Sequence, residues 1–174
     1  MLRVVEKDAL ASVIENSDND IVVLFGSPLS YDSSTGDGVP NVNGVMELVE
    51  SVLKEKKLLD KFNDLHGHSR DGERYQQAFT FLADYTSPNT VNGIIRRAVL
   101  KAFNRDTSSI DLNDTNQLLG LQEELDSWCI PEATSALARL LVSNPRFYNT
   151  VLTPNFDPLL AVVICTISFG HCVK

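Results

Sequence analysis

The chain has 174 residues, the length of one ordinary domain. Hydrophobic residues make up 43% of it and charged residues 22%, which excludes a disordered chain and indicates a packed core. The formal net charge of −8 disfavours nucleic acid as a partner, because an acidic surface repels a phosphate backbone.

Local composition disfavours two further classes. The longest apolar stretch, near Leu159 to Phe169, is too short and too mixed to span a bilayer. The first ten residues, MLRVVEKDAL, contain acids and lack the apolar segment of a signal peptide. We therefore expect no membrane partner and a cytoplasmic location. The three cysteines have no pair at two-residue spacing, so we expect unreactive thiols and no metal site.

The first strong structural signal is the apolar run IVVLF at residues 21 to 25. It shows no polar alternation and stops at Gly26, which predicts a strand buried on both faces, as in a parallel sheet. A loop rich in Ser, Gly, Pro, Asp and Asn follows. The apolar stripe from Val45 to Leu53 then predicts an amphipathic helix that Asn43 caps.

Four helical patterns follow in the middle of the chain. They cover residues 75 to 82, 88 to 102, 115 to 127 and 131 to 143. Ser87 and Pro88 mark the start of the second, as its cap and its first helical residue. The polar stretch HGHSRDGE at residues 66 to 73 predicts a surface loop that includes His66.

A second short strand is predicted at residues 151 to 153, with a helix after Asp157. Two short strands separated by helices indicate the α/β class. We expect a single domain over residues 1 to 174 with a Rossmann-like parallel sheet. Its two motif-bearing strands would be separated by a large helical insertion at about residues 45 to 143.

The loop after the first strand is a candidate phosphate-binding loop. Ligands of open α/β sheets bind beyond the carboxyl ends of the strands. Gly26 would let backbone N–H groups approach an anion, while Ser27 and Ser30 would add hydroxyl donors and Pro40 would shape the loop. The alternative is a flexible connection between a strand and a helix.

The loop after the second strand, within VLTPNFDPLL, places polar residues in alternation. Thr153, Asn155 and Asp157 alternate with Pro154 and Pro158, and the prolines stiffen the turn. A rigid amide and carboxylate are suited to orienting ribose hydroxyls or a water molecule. The alternative is that Asp157 simply caps the following helix.

Taken together, the two loops resemble a known family. LFGSPLS and GVPNVNGVMELV are similar to the glycine-rich motif and the following G-[IV]-P loop of sirtuin-like domains. LTPNFDPLL is similar to the T-x-N-[FY]-D motif in the sirtuin-like NAD hydrolases of bacterial anti-phage defence proteins. The resemblance extends over roughly residues 20 to 160.

The resemblance implies NAD as the substrate, with no metal, and a role for each motif residue. Asn155 would position the nicotinamide ribose and the attacking water, and Asp157 would support that loop and the ribose. Gly26, Ser27 and Ser30 would cradle the phosphates. Pro40 and Thr153 complete the implied cofactor-binding set.

The chain departs from the family pattern at three points. Pro28 replaces a second glycine and removes one N–H donor. The family's catalytic histidine lies well after the Asn motif, whereas His66 precedes it and His171 follows Asn155 by only 16 residues. The remaining strands of a sirtuin-like fold would have to follow Lys174. We therefore expect an incomplete sheet and a truncated domain.

Three functions remain open from the sequence. The first is NAD hydrolysis to nicotinamide and ADP-ribose in anti-phage defence. The second is a truncated or degenerate domain that binds nucleotide or a partner protein without catalysis, and the third is a purely helical interaction protein. Protein deacetylation is disfavoured, because three cysteines cannot build the four-cysteine zinc module of deacetylating sirtuins. Candidate protein partners are another defence-system protein or a second copy, since an incomplete sheet exposes a strand edge.

Overall fold

The computed structural model describes residues 7–16, 21–67, 69, 71–144 and 147–170. Within these ranges the chain forms helices and one sheet of two parallel strands, β1 (Ile21–Leu24) and β2 (Phe147–Leu152). The predicted α/β class is therefore confirmed. The alternative of a purely helical protein is wrong.

The α-helices of the described ranges are α1 (Lys7–Asn16), α2 (Val42–Glu55), α3 (Leu59–His66), α4 (Asp71–Tyr85), α5 (Pro88–Leu100), α6 (Thr115–Glu123), α7 (Glu132–Ser143) and α8 (Leu159–Gly170). Helices α2 to α7 all lie between the two strands in the sequence. This order agrees with the helical stretch predicted there. Two short 3₁₀ turns occur as well, at Ser27–Leu29 and Leu125–Ser127.

The start of α2 corrects one prediction. Asn41, not Asn43, is the cap, and its side-chain oxygen accepts a hydrogen bond from the Gly44 N–H at 3.1 Å. Asn41 has the extended backbone that a cap requires, while Asn43 already lies in the first helical turn.

The predicted position of the start of α5 is confirmed, but the capping hydrogen bond expected from the Ser87 side chain is absent. Ser87 occupies the cap position and Pro88 the first helical position. The Ser87 hydroxyl lies 3.2 Å from the Thr90 hydroxyl and makes no capping bond to the backbone.

The larger hydrophobic core lies mainly among the helices that come between the two strands in the sequence, and α8 also contributes to it. Its large side chains with almost no exposure include Val49 and Leu53 of α2, Phe62 of α3, Leu82 of α4 and Ile94 of α5. The apolar stripes predicted for α2 and α5 therefore face this core. Burying each such side chain stabilises the fold by about 1.5–3 kcal/mol.

A smaller core covers one face of the sheet. Phe25, Ala138 of α7 and Leu160 of α8 form its buried centre. On the other side, Val22 is 55% exposed and Leu24 is 73% exposed. The prediction of a first strand buried on both faces is therefore wrong, because the described helices α7 and α8 cover only one of them.

Two local predictions near the motifs also change. The second strand was predicted at residues 151 to 153, but β2 begins at Phe147 and ends at Leu152, so Thr153 lies in the loop. His66 was predicted in a surface loop. It is the last residue of α3, and its ring packs 5.3 Å from the Phe62 ring.

The parallel register sets the geometry of the site. Leu24 pairs with Leu152, and the Phe25 N–H donates to the Leu152 carbonyl at 3.1 Å. The carboxyl ends of parallel strands lie at the same edge of a sheet. The loops that follow β1 and β2 therefore begin side by side. No helix within the described ranges is long and apolar enough to cross a membrane.

Candidate functional site

A chain of two hydrogen bonds joins the loops that follow the strands. The Asn155 amide Nδ2 donates to the Ser30 hydroxyl at 2.8 Å, and that hydroxyl donates to Asp157 Oδ2 at 2.8 Å. A serine hydroxyl can accept and donate at once, so one side chain orients both partners. Ser30 is only 3% exposed, which shields these bonds from water.

Ser30 therefore has a place that sequence reasoning missed. The resemblance assigned its hydroxyl to the phosphates of NAD. In the structure, the hydroxyl lies between the amide and the carboxylate of the other loop. No sequence signal shows this, because the partners are 125 and 127 residues away.

Asp157 makes the helix-capping contact that the sequence offered as one alternative, and it also contacts the first loop. Its Oδ1 accepts a hydrogen bond from the Leu159 N–H at 3.2 Å, at the start of α8. Its other oxygen accepts from Ser30. The carboxylate thus caps the helix and holds the neighbouring loop, and the two roles do not compete.

Thr153 acts on the backbone of the second loop. Its hydroxyl accepts a hydrogen bond from the Asn155 N–H at 2.9 Å, which closes the turn before the amide. Thr153 itself is exposed and is not among the residues that line the neighbouring cavity. Thr153 therefore supports the backbone of Asn155 from outside the cavity.

The backbone around Ser30 is fixed by Gly38. The Ser30 carbonyl accepts from the Val39 N–H at 2.7 Å, and Tyr31 and Gly38 form an antiparallel bridge. Gly38 has φ +88°, and an added Cβ would lie 2.1 Å from the Ser30 carbonyl oxygen and 2.6 Å from Pro131 Cγ. Only glycine fits this position without a shift of the backbone.

The two loops line one cavity of about 550 Å³. Six of the seven residues predicted for the site line it: Gly26, Ser27, Ser30, Pro40, Asn155 and Asp157. Gly26 and Asn155, which are remote in sequence, thus meet at a common crevice. The volume is within the range of about 300–1,000 Å³ typical of ligand sites.

Aromatic side chains form a wall that sequence reasoning did not assign. Tyr31, Tyr75 and Phe156 all line the cavity. Phe156 lies inside the second motif, and Tyr75 belongs to a helical stripe that was interpreted only as core. Burial raises the pKa of the Tyr75 hydroxyl above its ordinary value, so this group stays protonated at neutral pH.

The electrostatic character of the cavity is weakly acidic. Asp157 is the only charged side chain among the described residues that line it. Backbone donors are limited as well: the N–H groups of Leu29 and Ser30 bond within the turn, to Gly26 and Ser27 carbonyls at 3.1 and 3.0 Å. Pro28 has no N–H. The predicted phosphate cradle is therefore poorer in donors than a glycine-rich loop ordinarily is.

No described histidine lines this cavity. His66 lies in another depression, between α3 and α4. His171 is outside the described residues. Across the ranges that the structure describes, no group of three or more His, Cys, Asp or Glu side chains is arranged to hold a metal ion.

Comparisons with protein-family models, with curated proteins and with solved structures found no match for this chain. The likeness to sirtuin-like domains therefore stays a hypothesis that depends on the residues of the two loops. What the molecule itself adds is the meeting of those loops at one cavity.

Proposed function

We propose that this cavity binds NAD and that the chain hydrolyses it to nicotinamide and ADP-ribose. The observation that supports the proposal is the hydrogen-bonded chain from Asn155 through Ser30 to Asp157 at the cavity wall. It fixes an amide and a carboxylate in one crevice, at the carboxyl ends of two parallel strands. A water molecule and a ribose can be oriented there with little loss of entropy on reaching the transition state.

The reaction is a substitution at the anomeric carbon of the nicotinamide ribose. A water oxygen forms a bond to this carbon while the bond to the pyridinium nitrogen breaks. The electron pair of the broken bond neutralises the pyridinium, so that nicotinamide leaves uncharged, and the attacking water releases one proton to the solvent. Asn155 would hold the water and the ribose, and the negative charge of Asp157 would stabilise the positive charge that develops on the ribose.

The aromatic wall supports a nucleotide ligand. Tyr31, Tyr75 and Phe156 offer flat apolar surfaces to a nicotinamide or adenine ring. Apolar surface around the reacting carbon also excludes competing water and strengthens the electrostatic effect of Asp157.

A second candidate function is NAD binding without turnover. The cavity has no described histidine to accept the proton, and the Ser30 hydroxyl already engages both polar side chains of the second loop. These observations favour a binding domain that has lost catalysis. The residues at the cavity are the same in both proposals, so only turnover distinguishes them.

We also propose that the parallel sheet is Rossmann-like. The exposed apolar residues of β1, Val22 and Leu24, suit a sheet of this kind, whose strands are apolar on both faces. The resemblance of the motifs points to cytoplasmic anti-phage defence as the setting.

The test is nicotinamide release from NAD by the purified chain, measured by liquid chromatography. Asn155→Ala should lower the rate by about 100-fold or more, as loss of a positioned polar group does in other enzymes. Asn92→Ala is the matched control, because Asn92 is exposed on α5 and is not among the residues that line the cavity. It should release nicotinamide at the wild-type rate.

The possible results separate the two candidate functions. Equal release by wild type and Asn155→Ala would exclude Asn155 from the mechanism. No release by wild type, together with a melting temperature that rises with NAD concentration, would establish binding without turnover. The absence of both release and stabilisation would refute both candidates.

A further inference from the structure

The proposed NAD cavity lacks a cation, although its ligand carries two phosphate groups. Among the described residues that line it, none is Lys, Arg or His, and Asp157 adds a negative charge. A diphosphate in that environment would be repelled by the carboxylate. A counter-charge from outside the cavity would remove this difficulty.

A second cavity of about 200 Å³ adjoins the first at Phe156, a residue that lines both. Arg96 of α5 is the only charged side chain among its described lining residues. Its walls also include the apolar side chains of Val99, Leu118 and Trp128. We call this second cavity the Arg96 pocket.

The guanidinium of Arg96 has N–H donors that are available to bind an anion. Its Nη1 donates to the Leu112 carbonyl, which anchors the half-buried side chain. Within the part of the chain that the structure describes, no carboxylate forms an ion pair with it. An arginine has five N–H donors, so one anchoring bond leaves most of them for an anion. The apolar walls lower the local dielectric and strengthen such a contact.

We propose that the Arg96 pocket is the subsite for the phosphate groups of the dinucleotide. This inference depends on the proposed function, since it assigns the anionic part of the same ligand. The nicotinamide ribose lies against Asn155 and Asp157, and the chain of the ligand crosses Phe156 to reach Arg96. Phe156, 58% exposed, thus separates a weakly acidic reaction site from a basic phosphate site.

The neighbouring residue provides a matched control. Arg97 lies on the same helix and carries the same charge, but it is exposed and borders a different depression with Lys56 and Asn113. Removing either arginine changes the net charge of the protein by the same amount. Only Arg96→Gln removes a cation from the pocket next to Phe156.

The test is isothermal titration calorimetry of wild type, Arg96→Gln and Arg97→Gln with three ligands. NAD and ADP-ribose carry the diphosphate, and nicotinamide riboside carries no phosphate. Arg96→Gln should weaken binding of the first two ligands by about tenfold or more and leave that of nicotinamide riboside unchanged. Arg97→Gln should bind all three as wild type does. Equal affinities for NAD in wild type and Arg96→Gln, or an equal loss in both variants, would overturn the assignment.

Two further measurements test the Arg96 pocket independently of whether the variants fold and of whether the chain binds NAD. In wild type alone, the affinity for ADP-ribose should fall as sodium chloride is raised, and a salt-independent affinity would count against a charged subsite. Inorganic pyrophosphate tests the pocket without the nucleoside. If wild type binds pyrophosphate through Arg96 but does not bind NAD, the proposed function is refuted and the anion site is kept. If wild type and Arg96→Gln bind NAD equally well, the anion site is refuted and the proposed function is kept.

Discussion

Substituting Gly38 tests whether the first loop is built as the structure shows. The residue has φ +88°, a conformation that costs an L-amino acid about 1–2 kcal/mol. The added Cβ of Gly38→Ala would also lie 2.1 Å from the Ser30 carbonyl oxygen, which forces the backbone to move. Overlaps of this kind cost about 1–3 kcal/mol. The variant should therefore lose about 2–5 kcal/mol of unfolding free energy, the sum of the two effects.

Gly36→Ala is the matched control, because the two glycines share one loop and one type of conformation. Gly36 has φ +80°, but a Cβ there would meet nothing within 4 Å. Only the conformational cost of about 1–2 kcal/mol should appear. Urea unfolding followed by circular dichroism gives both values. Equal losses in the two variants would show that Gly38 does not pack against the Ser30 carbonyl, and the account of that loop would be refuted.

Three further predictions concern the core and the site. Leu53→Ala should cost about 2–5 kcal/mol in the same unfolding assay because Leu53 is fully buried, whereas Leu119→Ala, 52% exposed, should stay within about 0.5 kcal/mol. Ser30→Ala should lower the unfolding free energy by about 1–3 kcal/mol and slow nicotinamide release, because it removes the acceptor of Asn155 and the donor to the carboxylate of the second loop. An unchanged release rate would show that Ser30 does not position these groups. Burial raises the pKa of Tyr75, so its ionisation in an ultraviolet titration should come above the ordinary value of about 10, and Tyr75→Phe should remove that step. Because the pKa of Tyr75 is higher in the folded state, its contribution to stability is fully present below a pH of about 10, the ordinary pKa of tyrosine. That contribution is lost as the pH rises through the pKa of the folded state. Tyr75→Phe should abolish this loss of stability at high pH.

Periodicity predicted the elements whose side chains carry a strong local pattern. The stripe of α2, with Val49 and Leu53 inward, and the start of α5 at Pro88 follow from the spacing of apolar residues and from the proline. The exact cap of α2 did not follow, because Asn41 and Asn43 are chemically alike. The extended backbone at Asn41 decides between them.

The burial of β1 could not be predicted from its own residues. Ile, Val and Leu suit a strand with two covered faces as well as a strand with one. Which faces are covered depends on where α7 and α8 lie, and this is a tertiary property.

The site shows the same division between local and remote information. Local turn chemistry and their positions after strands were enough to mark Gly26 and Asn155 as candidate site residues, and the structure brings both to one cavity. The link that Ser30 makes between the loops, and the cavity that Arg96 and Phe156 line together, depend on how remote parts of the chain come together. Such contacts leave no periodic signal in a single sequence.

The most direct test of the central claim is a ¹⁵N NMR titration of the chain with NAD. If the two loops form one nucleotide site, the amide signals of Gly26 and Asn155 should shift together, with a single dissociation constant. Leu65 and Asp84, which border a separate depression between α3 and α4, should not shift. Shifts confined to one loop, shifts centred on Leu65, or no saturable shift at all would contradict the claim that these loops together bind NAD.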